Sequence, residues 1–435
     1  MHRSGAMATR AQKIAHEPSP AKRAALILGP GFITGVADDD PSGIGTYAIA
    51  GASLGLATLW TALLSFPLMA AVQNVCARLG LIAGDGLAGV LRRYYPRPVL
   101  YGAVLLVLVA NTINLGADLA AIGDAFGIIT GIHGVWVVVV IAVGILAVQI
   151  FASYRHIERI FKYLTLALFA YVADAILVRP DLGATLRATL VPTVSMDGAY
   201  VTTLVAILGT TISPYLFFWQ ASQEVEEEKE EGKRSLSQRR GATRLQLRIA
   251  TVDVNLGMLV SNLVMYFIIL ATALTLHESG KTEIQTGADA AQALRPLAGD
   301  LAGLLFAAGM IGTGLLAVPV LSGSAAYAVS EALRWKRGLD ENWRRAKPFY
   351  GVIALATIVG VGINFTPLKP IDALYWSSVL NGAAAPPLLV LIMLAARNPR
   401  VMGPQRIGPV LTALGWIATV AMSVALAALI LTAIR

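Results

Sequence analysis

GPGFITGVADDDPSGIGTYAIAGA, residues 29–52, places three consecutive acids, Asp38, Asp39 and Asp40, in the middle of an otherwise apolar run. Pro41 has no N–H and disfavours helix at Asp40. Gly43 and Gly45 are expected to let the backbone leave the helix. The run therefore reads as two half-helices joined by an unwound stretch, with free carbonyls facing a carboxylate. Carboxylate and carbonyl oxygens suit hard cations, and the C-terminal end of a half-helix adds negative potential.

The setting of this stretch is a membrane. The chain has 435 residues, 56% of them hydrophobic and 14% charged. A soluble protein of this size carries roughly a quarter of its residues as Asp, Glu, Lys and Arg. Spans of about 20 apolar residues, the length that crosses a bilayer, occur at about 24–53, 56–77, 99–127, 134–152, 161–178, 199–222, 249–275, 300–331, 349–365, 371–395 and 408–434. This predicts an all-α integral membrane protein with eleven transmembrane helices. With the N-terminus inside, all but six of the 34 Lys and Arg lie on the cytoplasmic side, the six being Arg179, Arg187, Lys281, Arg295, Lys369 and Arg435. That bias sets the expected orientation, N-terminus cytoplasmic and C-terminus external. The net charge of +8 is thus a matter of topology, and no nucleic acid is expected as a partner. Residues 1–23 read as a cytoplasmic tail, and 24–434 as one transmembrane domain. The Glu-rich segment from Glu224 to Glu231 reads as a solvated helical face.

A second interruption lies in LVAILGTTISPYLFFWQ, residues 204–220. Gly209 and Pro214 break the apolar helix, with Thr210, Thr211, Ser213 and Tyr215 supplying oxygens around the break. Interrupted helices at corresponding positions of two halves point to an inverted-repeat transporter with its site at the interface. Segment 1 opens one set of five helices and segment 6 the next. The repeats are expected at about 24–178 and 199–395, with an extra helix at 408–434.

The opening GPGF, the Asp40-Pro41 break, NLGADLAAIGDAFG at 114–127, LGTTISPYLFF in the sixth segment and the helix count resemble the NRAMP divalent-metal transporters. The resemblance spans about residues 24–434. It implies the LeuT-like fold, with segments 1 and 6 broken, and transport of manganese, iron and related ions into the cytoplasm, usually with protons. Residue by residue it implies a metal ligand at Asp40 and main-chain ligands at Ala37 and Thr210. The family's first motif, Asp-Pro-Gly-Asn, reads Asp40-Pro41-Ser42-Gly43 here. Its Met-Pro-His motif reads Ser213-Pro214-Tyr215. In segment 3, Asp118 matches an acid linked to proton transfer, whereas Ala121 stands where a second acid is expected. Ser378 falls near a Gln position of segment 10.

These departures replace a thioether, an amide and an imidazole with oxygens or nothing. Oxygen ligands favour magnesium, manganese or calcium over softer ions. The expected metal set is Asp40, Ala37, Thr210, Ser213, Asp39 and Tyr215. The expected break is carried by Pro41, Ser42, Gly43, Gly209 and Pro214, and the ion or proton path by Asp38, Asp118 and Ser378. With its His and one acid lost, proton coupling is not expected to follow the family pattern. The cargo is a divalent cation as substrate, with no cofactor, no enzymatic motif, membrane lipid as surroundings, and a monomer. The competing reading is a transporter on the same scaffold for a monovalent cation or small organic solute. Three acids at the break argue for a cation and against an anionic solute. Asp124 and Asp174 are secondary path candidates. Gln73, Asn74, Gln149, Asn255 and Asn262 read as helix–helix hydrogen-bond partners.

Overall fold

The computed structural model describes residues 9–151 and 168–434, and among these residues every regular element is helical. The main helices are α1 (Pro30–Asp38), α2 (Pro41–Leu54), α3 (Trp60–Ala83), α4 (Arg97–Thr130), α5 (Val135–Phe151), α6 (Gly198–Thr211), α7 (Pro214–Glu230), α8 (Arg244–Thr272), α9 (Ala302–Leu333), α10 (Lys347–Ile363), α11 (Pro370–Arg397) and α12 (Pro409–Ile434). Among the described residues, seven spans are long and apolar enough to cross a bilayer, and α5 and α10 are shorter apolar helices. Of the fifth expected segment, 161–178, the first part, 161–167, lies outside the described residues, and within the rest Ala170–Leu177 is helical.

Both expected interruptions are present, and both have the same local cause. α1 stops at Asp38, Asp39 leaves the helical region (φ −82°, ψ 50°), and Asp40 is extended (φ −69°, ψ 167°). Extension is what the residue before a proline prefers. Pro41 then opens α2 at its first position, where a missing N–H costs nothing. Asp40 caps the new helix, its Oδ1 accepting the Gly43 N–H at 2.7 Å. In the second repeat α6 ends at Thr211, Ile212 and Ser213 are non-helical, and Pro214 opens α7.

The glycines and Ser42 do something other than break the chain. Ser42, Gly43 and Gly45 lie inside α2, and Gly209 lies inside α6. The first break falls before Ser42, at Asp39–Asp40, and the second falls after Gly209, at Ile212–Ser213, because in each case the proline at N1 sets where the new helix starts. Gly43 instead provides room, since a Cβ there would stand 3.0 Å from Thr210 Oγ1 and 3.4 Å from Asp40 Oδ1. Gly209 allows α6 to touch α11, where a Cβ would lie 2.1 Å from the Ser378 carbonyl oxygen. Asn381 lies in the continuous α11, with Pro386 and Pro387 inside it.

α1 packs along α8, with backbone meeting backbone at Gly35 and Gly257. α7 packs along α3 in the equivalent way, so the first helix of each repeat lies against the second helix of the other. The buried apolar side chains of this bundle form separate clusters, three of them large. Exposed apolar residues such as Leu105, Val140, Leu355, Ile358 and Val424 form its lipid-facing surface.

The Glu-rich end of α7 departs from the expectation of a solvated face. Glu224 and Glu228 are both only 2% exposed. The N-terminal tail reaches the end of α7, where Arg10 bonds Glu227 and Glu231.

Candidate functional site

Pro41 cannot supply the N–H that the Ala37 carbonyl would bond four residues on, so the chemistry of the break begins with a freed carbonyl. The Tyr215 hydroxyl fills that role, donating to Ala37 O at 2.8 Å and also reaching Asp40 Oδ2 at 3.4 Å. Thus the first residues after the two prolines, one from each repeat, meet around one carboxylate. Asp40 Oδ1 accepts from Ser42 Oγ and the Gly43 N–H, both at 2.7 Å. Its Oδ2 accepts from Asn114 Nδ2 at 2.9 Å. Ala37, Asp40 and Tyr215 are each 1% exposed or less.

On the other side of the break, Ser213 Oγ donates to the Gly209 and Thr210 carbonyls, both at 2.7 Å. Ser213 therefore satisfies the freed end of α6. The Thr210 hydroxyl lies against Gly43.

The three aspartates do not converge. Asp38 Oδ2 and Asp39 Oδ1 both reach Ser261 Oγ of α8, at 2.6 and 3.2 Å, while Asp40 faces α4 and α7. The structure thus places Asp39 with Asp38 on Ser261 and away from the Asp40 set. An unwound two-residue link rotates the side chains of 38 and 40 to opposite sides, which the linear sequence does not reveal. Among the described residues no group of three or more His, Cys, Asp or Glu is arranged to hold one metal ion. The centre is one carboxylate surrounded by neutral oxygens and amides.

Asp118 Oδ1 accepts the Ser42 N–H at 3.2 Å, and its Oδ2 lies 3.5 Å from Asn114 Nδ2. Asp118 is therefore coupled to Asp40 through Asn114 and Ser42. Ser378 accepts from Thr46 Oγ1 at 2.9 Å and reaches the Ser42 carbonyl at 3.4 Å, so it steadies the first turn of α2. Asp124 accepts the Gly287 N–H and Asp174 the Leu297 N–H. Both tie down the 287–301 connection and stand apart from the break. Asn74 bonds Asn255 and Gln149 bonds Ser322, linking helices.

Three functional candidates come from the structure alone. Asn114 touches Asp40, and Asn381 of α11 donates to Asn114 Oδ1 at 3.1 Å while its own Oδ1, buried, has no partner. The sequence signal for Asn114 was its spacing of four from Asp118, which puts both on one helix face. Asp253 of α8 accepts the N–H groups of Gly29, Gly31 and Phe32 at 2.8–3.0 Å and so caps α1 from another helix. A lone acid in an apolar segment was the signal there.

Known proteins place this architecture. Residues 31–432 match the family model described as natural resistance-associated macrophage protein-like. The chain is 28% identical to a divalent metal cation transporter MntH of Aeromonas hydrophila, covering 91% of this chain and 93% of that protein. It is 27% identical to the MntH of Deinococcus radiodurans, over 93% and 89% of the two chains. The crystal structure of an Eremococcus coleocola manganese transporter superposes with a TM-score of 0.71 at 18% identity, covering 94% of this chain and 87% of that one. MhsT in complex with L-phenylalanine superposes at 0.59 with 15% identity, over 92% and 98%. These likenesses show the LeuT-like fold. With a family model spanning nearly its whole length, the chain belongs to the Nramp family of multi-pass membrane transporters and is not an enzyme.

Proposed function

We propose that the chain is a secondary transporter that moves a divalent metal cation across the cytoplasmic (inner) membrane by alternating access. In this reading Mg²⁺ or Mn²⁺ is preferred over softer Fe²⁺ or Cd²⁺, and the N-terminus faces the cytoplasm. The ion binds between the two breaks, on Asp40, the Ala37 carbonyl and Tyr215, with Thr210 and Ser213 lining the α6 side. Asp118 and Ser378 shape the surroundings through Ser42.

The observation that carries this reading is the spacing of oxygens around Asp40. Ligands about 2.0–2.1 Å from an octahedral ion stand about 2.9 Å apart along the edges of the octahedron. The Tyr215 hydroxyl is 2.8 Å from Ala37 O and 3.4 Å from Asp40 Oδ2. The Asn114 amide is 2.9 Å from Asp40 Oδ2, and turning it over would present its oxygen at the same spacing. One carboxylate among neutral oxygens suits Mg²⁺, which binds through one or two carboxylates and keeps several waters. Among the described residues, the hydrogen-bond partners of Asp40 include no sulfur or imidazole, the groups that attract softer ions.

Direct Mn²⁺ binding to the full-length chain tests the site. Asp40→Ala is expected to abolish binding and uptake together. Unchanged Mn²⁺ binding by that variant would show that the ion sits elsewhere.

A further inference from the structure

The N-terminal tail carries a cation into the protein. Arg10, in the short helix Arg10–His16, inserts its guanidinium between α7 and α8. Nη1 lies 3.0 Å from Glu227 Oε2 and Nη2 lies 3.2 Å from Asp253 Oδ2. Nε donates to the Leu26 carbonyl at 2.9 Å, Nη2 donates to the Ile27 carbonyl, and the Arg10 N–H donates to Glu231 Oε1 at 2.7 Å. The guanidinium also covers Gly29, where a Cβ would lie 2.3 Å from Nη1. Burial opposes the charge, but Glu227 and Asp253 outweigh it and hold the guanidinium above its ordinary range.

Around Arg10 the carboxylates outnumber the cations. A cavity of about 30 Å³, the size of a water or a bare ion, is lined by Arg10, Glu224, Glu227, Glu228 and Glu231. Glu228, with a side chain 2% exposed, uses Oε1 for Lys233, while its Oε2 has no hydrogen-bond partner. Glu224 accepts a neutral amide hydrogen bond from Gln220 at 2.9 Å. Buried carboxylates without matching cations are costly. Lys233 offsets Glu228, whereas Arg10 offsets Glu224 and Glu227, and Arg10 is tethered to a tail rather than to the bundle.

The position links this cluster to the central site. Asp253 holds the first N–H groups of α1, the half-helix that ends at Asp38–Asp40. Arg10 therefore joins α1, α7 and α8 at their cytoplasmic end, and a swing of α1 would have to break these bonds.

We propose that Glu224, Glu227, Glu228, Glu231 and Asp253 form a second cation site, on the cytoplasmic exit side, which Arg10 occupies in the closed protein. A hydrated divalent cation takes its place when the tail withdraws. Because no three acids converge to inner-sphere spacing among the described residues, the ion is held through one or two carboxylates and its own water. The proposal rests on the cation-transport reading and on the N-terminus-in orientation.

The test is Mn²⁺ binding, counted by electron paramagnetic resonance, to the full-length chain in an Asp40→Ala background that removes the central site. Adding Arg10→Gln is expected to create a Mn²⁺ site at least about tenfold tighter than any in the parent, by freeing two charge-paired carboxylates. Adding Glu227→Gln to that variant should remove it again, and Arg10→Lys should bind no more than the parent. Equal Mn²⁺ binding with and without Arg10 would overturn the proposal, as would a new site indifferent to Glu227. If Asp40→Ala itself keeps wild-type binding, the central assignment fails, while the comparison with and without Arg10 still decides the vestibule.

Discussion

Replacing Tyr215 with Phe removes one hydroxyl and almost nothing else, which makes it a sharp probe of where the ion sits. The ring is 1% exposed and its shape is retained, so packing is preserved. What is lost is the donor to Ala37 O at 2.8 Å and the longer contact to Asp40 Oδ2 at 3.4 Å. Ala37 O has no replacement within its helix, because the residue four positions on is Pro41. Leaving one buried acceptor unpaired costs about 1–3 kcal/mol, and the weaker Asp40 contact adds little, since Ser42, Gly43 and Asn114 still hold that carboxylate. The empty protein should therefore lose about 1–3 kcal/mol. With a saturating divalent cation the loss should shrink, because the ion itself satisfies the Ala37 carbonyl and a water can stand in for the phenol. The assay is denaturant or thermal unfolding of purified wild type and Tyr215→Phe, each with and without Mg²⁺ or Mn²⁺. A gap that stays the same when the ion is added would refute the placement of Ala37 O in the coordination sphere.

Other substitutions probe the remaining contacts of the two breaks and of α1. Asn114→Leu removes the amide on Asp40 and the partner of Asn381, and should weaken Mn²⁺ binding about tenfold, the equivalent of ~1.4 kcal/mol, read by isothermal titration. Ser213→Met puts back a thioether beside the α6 break, and should raise Cd²⁺ uptake relative to Mg²⁺ in a competition assay. Asp253→Ala deprives α1 of its cap and Arg10 of its buried partner, and should cost about 3–5 kcal/mol of stability. Gly35→Ala would place a Cβ 2.2 Å from the Gly257 carbonyl carbon; it should destabilise the protein by about 1–3 kcal/mol, measured by unfolding, through forcing α1 off α8.

The two breaks were legible because proline and its preceding residue act locally. Asp40-Pro41 and Ser213-Pro214 each dictate an extended residue and a fresh helix start, whatever surrounds them. Membrane character was legible too, from composition alone. The direction of each carboxylate was not. Asp38, Asp39 and Asp40 are adjacent in sequence, yet the non-helical link sends the first two to Ser261 and the third to Asn114 and Tyr215. Ser213 was expected to face the ion, but its hydroxyl is drawn back onto the carbonyls that the end of α6 leaves free. Short polar side chains near a helix end often do this. The contacts made by Asn114, Asn381 and Asp253 depend on helices 74–267 positions apart in sequence, which no local pattern encodes. The same holds for Arg10 and the glutamates of α7. The charge run looked solvated because its cover comes from the opposite end of the segment order.

If Asp40 and its neutral oxygens carry a hard divalent cation across the membrane, transport itself depends on that carboxylate. Uptake into proteoliposomes, with Mg²⁺, Mn²⁺, Ca²⁺ and Fe²⁺ compared side by side and a pH-sensitive dye inside, tests it most directly. Mg²⁺ or Mn²⁺ uptake is expected to exceed that of Fe²⁺ and to be abolished by Asp40→Ala, without the dye response of tight proton coupling. No uptake of any divalent cation by the wild-type protein would contradict it.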